Sequence, residues 1–355
     1  MTLQALGHTA KLDTYRKEQG LDSFDLGRVI SEHRERYVVK TASQEYDAEL
    51  IGNLRFTANS RADFPAVGDW VAINPYDEGK ALIHALYPRH SLVERQAVGT
   101  SGQIQIIAAN IDFGLIIQAV DRDFNLNRLE RYLTICNASN IEPIVVLNKV
   151  DLVDESELNS ILSKIHQRLD GFSIICTSSL IHVGFDQLKS CIEEGKTYCL
   201  LGSSGVGKST IINILAGHDE MKTSAISDSV SKGRHTTTYR QLIVLENGGI
   251  LIDNPGMREV GITDVSGGLE ATFDTINELS NDCKFKDCTH TDELGCAVLA
   301  AVENEEVDRG SYNNYQKMIR EKMHFESSVS EKRKKDKDLG KLIKNVKKSR
   351  KQNKF

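Results

Sequence analysis

The chain has no apolar run long enough to cross a membrane, and several residue types are scarce. Its 355 residues include one Trp and five Pro, and 6% of them are aromatic. No apolar stretch approaches the roughly 18 residues of a membrane-spanning helix, and we find no secretory signal peptide. For the seven Cys we therefore expect reduced thiols rather than disulfides, in a cytoplasmic protein that does not bind membranes.

Residues Gly202–Ser209 read G-S-S-G-V-G-K-S, a complete phosphate loop. The apolar segment Tyr198–Leu201 precedes the loop, and a predicted helix closed by Gly217 follows it. Glycines let backbone N–H groups converge on phosphate oxygens, and the helix N-terminus adds partial positive charge. Lys208 is expected to reach the β- and γ-phosphates of a nucleotide, and the Ser209 hydroxyl to ligate Mg²⁺. Because strand and helix frame the motif, we prefer this interpretation to a chance match.

Asn148-Lys149-Val150-Asp151 resembles the N-K-x-D signature with which GTPases bind guanine. It follows the apolar run Glu142–Leu147, which is typical of a buried parallel strand. The Asp151 carboxylate can accept hydrogen bonds from N1–H and the N2 amino group of guanine, donors that adenine lacks there, while Asn148 and Lys149 brace and cover the pocket. An ordinary polar turn is the alternative interpretation. Thr177-Ser178-Ser179 resembles, by position, the last GTPase motif.

The guanine motif precedes the phosphate loop, which reverses their order in an ordinary GTPase. The sequence therefore predicts a circularly permuted GTPase. The residues predicted to bind GTP are Asn148, Lys149, Val150, Asp151, Ser178, Ser179, Gly202, Ser203, Ser204, Gly205, Val206, Gly207, Lys208, Ser209, Thr210 and Gly256.

Two further segments have the composition of GTPase switches. Gly233–Thr238 is polar and rich in Thr, although a Thr-rich edge strand is the alternative interpretation. Asp253–Gly256 is a D-x-x-G motif that follows a predicted hairpin. Mg²⁺, bound together with GTP, is predicted to be held by Ser209, Asp253 and one of the threonines Thr237 and Thr238.

Residue 257 is Met, whereas Ras-type enzymes place there the Gln that orients the attacking water. A thioether cannot orient water in this way, so another group must do so or the intrinsic rate must be very low. His235 is the candidate catalytic residue because it neighbours the predicted Mg²⁺ threonines. Contact with a partner or with solvent is its alternative role.

Cys283, Cys288, His290 and Cys296 lie within 14 residues of one another. Three thiolates and one imidazole match a structural zinc site with one ion per chain, and four protein ligands leave no open position for catalysis. A set of unligated thiols is the alternative. The other cysteines lie in apolar runs and are predicted to be buried core thiols: Cys136, Cys176, Cys191 and Cys199.

Five short segments of alternating polarity lie between residues 26 and 86. They predict a small five-stranded barrel of the oligonucleotide-binding (OB) type. Basic and aromatic residues interleave in this region, as an RNA-binding face requires: Arg34, Arg36, Tyr37, Arg55, Phe56 and Arg61. A barrel without a ligand is the alternative.

Charge is distributed unevenly along the chain. Residues 332–355 contain 12 Lys or Arg and two Asp, a net charge of +10, so the remainder carries −16 to give the formal total of −6. A basic tail of this kind binds nucleic acid or stays solvated. A helix is predicted before it, over residues 303–324.

These features together resemble the RsgA (YjeQ) family, GTPases that depend on the small ribosomal subunit. Ala66–Val71 and Asp121–Asn125 are further landmarks of the resemblance. Asn254 stands where the commonest family pattern has Thr, at a position that is not a ligand. Other permuted GTPases often have Asn in place of Gly205, a feature linked to potassium use, so nothing here calls for K⁺.

The expected architecture has several domains. It comprises a leader (1–21), an OB-type RNA-binding barrel with a linker (22–107), a circularly permuted α/β P-loop GTPase domain (108–262), a zinc-binding module with helices (263–330) and a basic tail (331–355). The resemblance implies GTP hydrolysis coupled to late maturation of the small ribosomal subunit. It also implies rRNA binding by the barrel, the zinc module and the tail. A monomer is expected.

Two other classes of protein compete with this interpretation. A free-standing nucleotide-metabolising enzyme, such as a kinase, needs a second substrate pocket, and none is apparent in the sequence. An RNA-binding scaffold with a vestigial GTPase fold would not need intact Lys208, Asp253 and Asp151.

Overall fold

A computed structural model describes residues 2–33, 36–58, 60–96, 104–121, 124–217, 241–253 and 266–327. Several sequence predictions lie outside these ranges, namely Arg34, the switch segment Gly233–Thr238 with His235, Thr237 and Thr238, residues 254–256 of the D-x-x-G motif, and the basic tail.

The described residues form thirteen strands. In chain order they are β1 (Asp25–His33), β2 (Arg36–Lys40), β3 (Glu45–Leu50), β4 (Trp70–Asp77), β5 (Lys80–Leu86), β6 (Leu92–Gln96), β7 (Ile104–Ala109), β8 (Phe113–Ala119), β9 (Glu142–Asn148), β10 (Ser173–Thr177), β11 (Thr197–Leu201), β12 (Gln241–Val244) and β13 (Ile250–Asp253).

The helices are α1 (Ala10–Glu18), α2 (Gly52–Thr57), α3 (Leu126–Ala138), α4 (Glu155–Arg168), α5 (Phe185–Ser190), α6 (Lys208–Ala216), α7 (Ser266–Thr272), α8 (Asp274–Ser280), α9 (Ala297–Glu303) and α10 (309–327). Among the described helices, none has the length and apolarity needed to cross a membrane.

Strands β1 to β5 close into the predicted five-stranded barrel. The ring runs β1-β2-β3-β5-β4-β1, with β3 and β5 parallel and the other pairs antiparallel. Alternate residues face inwards, as the two-residue period of a strand requires, so in β3 Tyr46, Ala48 and Leu50 are buried while their neighbours are exposed. This closed arrangement leaves the barrel with its own apolar core and confirms the prediction.

The leader is folded against this barrel. A short 3₁₀ helix, Gln4–Leu6, is followed by α1. Leu6 and Leu12 pack with Trp70 and Tyr87 of the barrel region in one apolar cluster. The leader therefore belongs structurally to the barrel.

Strands β8 to β13 form the α/β domain, in the order β10-β9-β8-β11-β13-β12. All pairs are parallel except β12 with β13. Every residue of β11 is buried, as expected for a central parallel strand covered by helices on both faces. Ser31 of β1 pairs with Gln241 of β12, so the barrel continues the sheet of the α/β domain.

The C-terminal module, residues 266–327, packs on α3. Gly268 allows the close approach, because a Cβ at this position would lie 2.3 Å from the Thr134 carbonyl oxygen. Helix α10 is held by Glu130 of α3, whose fully buried carboxylate accepts hydrogen bonds from Ser311 Oγ (2.7 Å) and Asn314 Nδ2 (2.5 Å). Arg168 neutralises the same carboxylate at 2.6 Å. The module is therefore fixed to the α/β domain by buried polar contacts.

The predicted helix over residues 303–324 is wrong at its start, because residues 304–308 are not helical and α10 begins only at residue 309. Helix α9 ends at Glu303, and Glu305 has a left-handed φ of 63° that stops the helix. Asp308 then caps α10, since its carboxylate accepts a hydrogen bond from the Ser311 backbone N–H at 2.7 Å.

Candidate nucleotide and metal sites

The phosphate loop lies between the end of β11 and the start of α6, as predicted. Gly202 and Gly207 have φ values of 153° and 99°. A Cβ at Gly202 would lie 2.4 Å from the Ile117 carbonyl oxygen, and one at Gly207 would lie 2.2 Å from Asn148 Nδ2. Only glycine fits at these two positions, which explains the spacing of the motif.

The Lys208 side chain folds back across the loop. Its Nζ donates hydrogen bonds to the carbonyl oxygens of Gly202 (2.7 Å) and Ser203 (2.5 Å). Its position within the loop suits a cation that neutralises nucleotide phosphates. Ser209 and Thr210 lie in the first turn of α6, and Ser204 and Gly205 lie in the loop itself.

Asn148 joins the guanine motif to the phosphate loop. It is 3% exposed at the end of β9. Its Nδ2 donates to the Val206 carbonyl oxygen at 2.8 Å, and its Oδ1 accepts from Thr177 Oγ1 at 3.0 Å. A single amide thus connects three segments that are far apart in the sequence.

Lys149 adopts a left-handed φ of 61° and forms an ion pair with Asp121, with Nζ 3.0 Å from Oδ2. Asp121 follows β8, the strand next to β9. The sequence singled out the segment around Asp121 only as a landmark, because nothing in the local pattern predicts this partner.

The Asp151 carboxylate is oriented by Ser178, whose hydroxyl donates a hydrogen bond to Asp151 Oδ1. The same hydroxyl oxygen accepts from the backbone N–H groups of Leu180 (3.2 Å) and Ile181 (3.4 Å). Ser178 is fully buried. The segments Asn148–Asp151 and Thr177–Ser179 therefore contact each other through Ser178 and Asp151. Ser179, the next residue, is half-buried.

Asp253 ends β13, beside the strand that leads into the phosphate loop. Ile252 pairs with Cys199 of β11, and Asp253 is 7% exposed. This places the carboxylate at the same sheet edge as the loop, where ligands of parallel α/β sheets bind.

The four predicted zinc ligands come together in the C-terminal module, with their ligand atoms within 4.8 Å of one another. His290 Nδ1 lies 3.5 Å from Cys283 Sγ and 3.4 Å from Cys296 Sγ, and the two sulfurs are 3.9 Å apart. Ligands placed tetrahedrally around zinc at its usual bond lengths would be about 3.8 Å (S to S) and about 3.6 Å (S to N) apart. The donor set and its spacing fit this ion.

The loop that carries these four side chains, residues 283–296 and here called the metal loop, is held in place by neighbouring groups. The Tyr312 hydroxyl of α10 donates to the His290 carbonyl oxygen at 2.6 Å, and Gln316 Nε2 donates to the Thr289 carbonyl oxygen at 2.9 Å. Hydrogen bonds from Thr289 hold the pKa of Glu293 well below its usual range. Cys296 Sγ accepts from the Leu299 N–H at 3.4 Å and so caps α9.

The remaining cysteines are only partly as predicted. Cys136 and Cys199 are fully buried, and burial raises the pKa of Cys199 to about 12. Cys176 and Cys191 are half-buried rather than buried, because they lie at the margins of the α/β core. All seven cysteines are free.

The predicted RNA-binding face of the barrel needs one correction. Arg36, Arg55, Phe56 and Arg61 are exposed, Phe56 at 91%. Tyr37 is 2% exposed, because it occupies an inward position of β2 and packs in the barrel core. Tyr37 therefore belongs to the core, and of the two predicted aromatic residues Phe56 of α2 is the exposed one.

Two family models match the chain. One, described as RsgA GTPase, matches residues 86–263. The other, described as ABC transporter, matches residues 185–353. The two ranges overlap in the segment that contains the phosphate loop, which P-loop NTPases share.

Curated relatives cover most of the chain. The small ribosomal subunit biogenesis GTPase RsgA 2 of Vibrio parahaemolyticus is 38% identical over 336 residues, 94% of this chain and 90% of the relative. The protein of the same name from Lactiplantibacillus plantarum is 45% identical over 296 residues, 83% of each chain.

Solved structures agree in fold, and with the matches above they identify the family. YjeQ from Thermotoga maritima superposes with a TM-score of 0.61 at 27% identity, covering 84% of this chain and 98% of YjeQ. YloQ, a circularly permuted GTPase, gives 0.57 at 24% identity over 87% and 96% of the two chains, which supports the fold alone. Since the family model spans half of the chain and the relatives align along most of their length, this protein belongs to the RsgA GTPase family.

Proposed function

We propose that this protein hydrolyses GTP to GDP and phosphate in the late maturation of the small ribosomal subunit, as a cytoplasmic monomer whose activity the subunit stimulates. The names of its relatives refer to small ribosomal subunit biogenesis. The nucleotide part of the proposal rests on one contact above all, the hydrogen bond from Asn148 to Val206, which joins the guanine motif to the phosphate loop.

In this proposed function, different residues bind the guanine base and the phosphates of the nucleotide. Asp151, held by Ser178, accepts from the guanine edge, and Lys208 neutralises the phosphates. Mg²⁺ supplies further charge neutralisation at the β- and γ-phosphates when it is bound. Ser209, Asp253 and one of Thr237 and Thr238 would hold it, and the Gly256 N–H would contact the γ-phosphate.

The proposal assigns rRNA binding to surfaces on either side of the nucleotide site. On the barrel these are the exposed Arg55 and Phe56 of α2. On the C-terminal module, Lys284 Nζ lies 5.5 Å from the ring centre of Phe285, which is itself 46% exposed. Cations beside exposed aromatic rings suit backbone contacts and base stacking. The basic tail would add non-specific phosphate contacts, and the Cys₃His cluster would hold one structural zinc ion.

Purified small subunits provide the decisive test. We expect slow GTP hydrolysis by the protein alone, strong stimulation by subunits, and tighter subunit binding with a non-hydrolysable GTP analogue than with GDP, because a ligand shifts a conformation only through differential affinity. The hydrolysis rate of a free-standing enzyme would not change when subunits are added, and a scaffold would bind subunits with the same affinity with or without nucleotide. Either result would contradict the proposal.

His235 is proposed to orient the attacking water that Met257 cannot orient. We expect His235→Ala to lower subunit-stimulated hydrolysis by about 10²-fold, the usual scale for a group that assists proton transfer, with GTP and subunit affinities kept. His166→Ala, at an exposed position of α4, is the matched control. Full stimulation in the His235 variant would exclude the catalytic role, and weakened subunit binding would favour a contact role.

A further inference from the structure

Arg28 of β1 connects four separate segments of the chain. Its guanidinium donates hydrogen bonds to the carbonyl oxygens of Leu6 in the leader (2.6 Å), Gly68 in the barrel (3.0 Å) and Asn110 between β7 and β8 (3.0 Å). A fourth bond, also 3.0 Å, goes to the Thr197 hydroxyl at the start of β11 in the α/β domain. The side chain is 1% exposed.

This buried cation is surrounded by neutral acceptors. No carboxylate among the described residues forms an ion pair with Arg28, although Asp112 and Asp69 are near enough to favour its charge. Burial lowers the pKa of Arg28 to about 10, so the group stays protonated at neutral pH. A buried charge without a contacting counter-ion is tolerated only when its hydrogen bonds are well satisfied. Its geometry therefore depends on all four segments being in place.

The leader passes directly between Arg28 and the α/β domain. A Cβ at Gly7 would lie 2.9 Å from Arg28 Nη1 and 2.8 Å from the Gly195 carbonyl oxygen, and Gly7 has a φ of 82°. On the barrel side, the Trp70 ring centre is 5.6 Å from Arg28 Cζ. The guanidinium thus touches barrel, leader and α/β domain together.

A cavity of about 700 Å³ opens beside this contact, lined by His8 of the leader, Trp70 of the barrel and Lys196 of the α/β domain. Apolar packing therefore does not fill the junction here. Water entering the cavity could hydrate the carbonyl oxygens that Arg28 now satisfies. Loss of Arg28 should then loosen the junction without unfolding the domains.

Strand β1 also contacts the strands that lead to and from the nucleotide site. Thr197, the partner of Arg28, begins β11, which ends at the phosphate loop. Ser31, on the same strand as Arg28, pairs with Gln241 at the start of β12, three residues after the predicted switch segment Gly233–Thr238. The orientation of β1 therefore fixes the barrel relative to both sides of the nucleotide site.

We infer that Arg28 is a positioning residue that sets the orientation of the barrel on the α/β domain. Without Arg28, the exposed face of α2 no longer has a fixed position relative to the nucleotide site. Docking on the subunit must then restore that position. The effect on subunit stimulation rests on the proposed function, whereas the effect on orientation does not.

The test compares four variants of the full chain. Arg28→Met removes all four hydrogen bonds, Arg28→Lys keeps the charge but cannot span four acceptors, and Thr197→Val removes only the bond to β11. Arg16→Met is the matched control, because half-buried Arg16 donates only to the carbonyl oxygens of Leu21, Asp22 and Phe24, within the leader and its junction with β1. Each variant is measured by small-angle X-ray scattering and by intrinsic and subunit-stimulated GTP hydrolysis.

We expect both Arg28 variants to have a larger radius of gyration, an unchanged intrinsic rate, and a subunit concentration for half-maximal stimulation raised about fivefold or more. Thr197→Val should shift in the same direction by less, and Arg16→Met should match wild type. Wild-type scattering and stimulation in folded Arg28→Met would overturn the inference, and if that variant fails to fold, wild-type behaviour of Thr197→Val would do so. Absence of stimulation in the wild-type protein would overturn only the proposed function, since scattering still tests the orientation.

Discussion

Asp151→Asn is expected to weaken GTP binding by about 10²-fold or more and to favour xanthine nucleotides. The carboxylate accepts two hydrogen bonds from guanine in the proposed complex. The Asn amide can accept only one of them, and its Nδ2 donor faces the other guanine donor, which costs a few kcal/mol. The new amide can instead donate to the oxygen that xanthine has at C2. Competition of GTP and XTP for the purified variant, measured by equilibrium binding, checks the result.

The structure supplies a control for this substitution. Asp154 lies three residues further on, but its carboxylate caps α4 by accepting from the Glu157 N–H at 2.8 Å. Since Asn caps helices about as well as Asp, Asp154→Asn should leave GTP affinity unchanged. Unchanged GTP binding in Asp151→Asn would remove Asp151 from the base-binding site.

Local motifs allowed the sequence to predict the position of the phosphate loop between its strand and its helix. The spacing of Gly202 and Gly207 already requires a loop into which no side chain fits, and the structure shows the close approaches that explain it. The position of Asn148 at the end of a buried strand was also predictable, because its motif follows a clear apolar run. These features depend on neighbours in the chain, so the sequence contains their signal.

Contacts between distant segments were not predictable in the same way. In the sequence, Glu130 looks like any polar residue of an amphipathic helix. Its partner Ser311 is 181 residues away. Arg28 meets Thr197 across 169 residues. Tyr37 was assigned to an RNA-binding face because composition does not give the phase of a strand, and the structure places it in the core. By contrast, Asp308 has the residue type of a helix cap, a signal that could have placed the start of the predicted helix correctly.

The C-terminal module follows the D-x-x-G motif in the chain, and the structure adds a second connection to the nucleotide site. Lys149 of the guanine motif pairs with Asp121, and α3 begins shortly afterwards at Leu126. Glu130 of that helix then holds α10. The predicted guanine motif and the loop that carries the four Cys and His side chains, residues 283–296, are thus joined through packed helices as well as along the backbone.

Cys288→Ala is expected to abolish stoichiometric zinc binding, because structural zinc sites in small domains contribute about 10–16 kcal/mol of apparent binding free energy and need all four ligands. The metal loop should then unfold, releasing the contact of Tyr312 with the His290 carbonyl oxygen. GTP binding should persist, since the α/β domain has its own buried strands. Metal analysis of the purified variant, together with hydrogen exchange over residues 283–296, measures both effects.

Cys191→Ala is the matched control for the loss of zinc. Cys191 is half-buried and outside the metal cluster, and Tyr198 contacts its backbone carbonyl oxygen rather than its thiol. This variant should keep about one zinc ion per chain, as the wild-type protein is expected to do. If a variant lacking both Cys283 and Cys288 still carried one zinc ion per chain, these residues would not be its ligands. The four side chains would then lie close together only because they pack against one another.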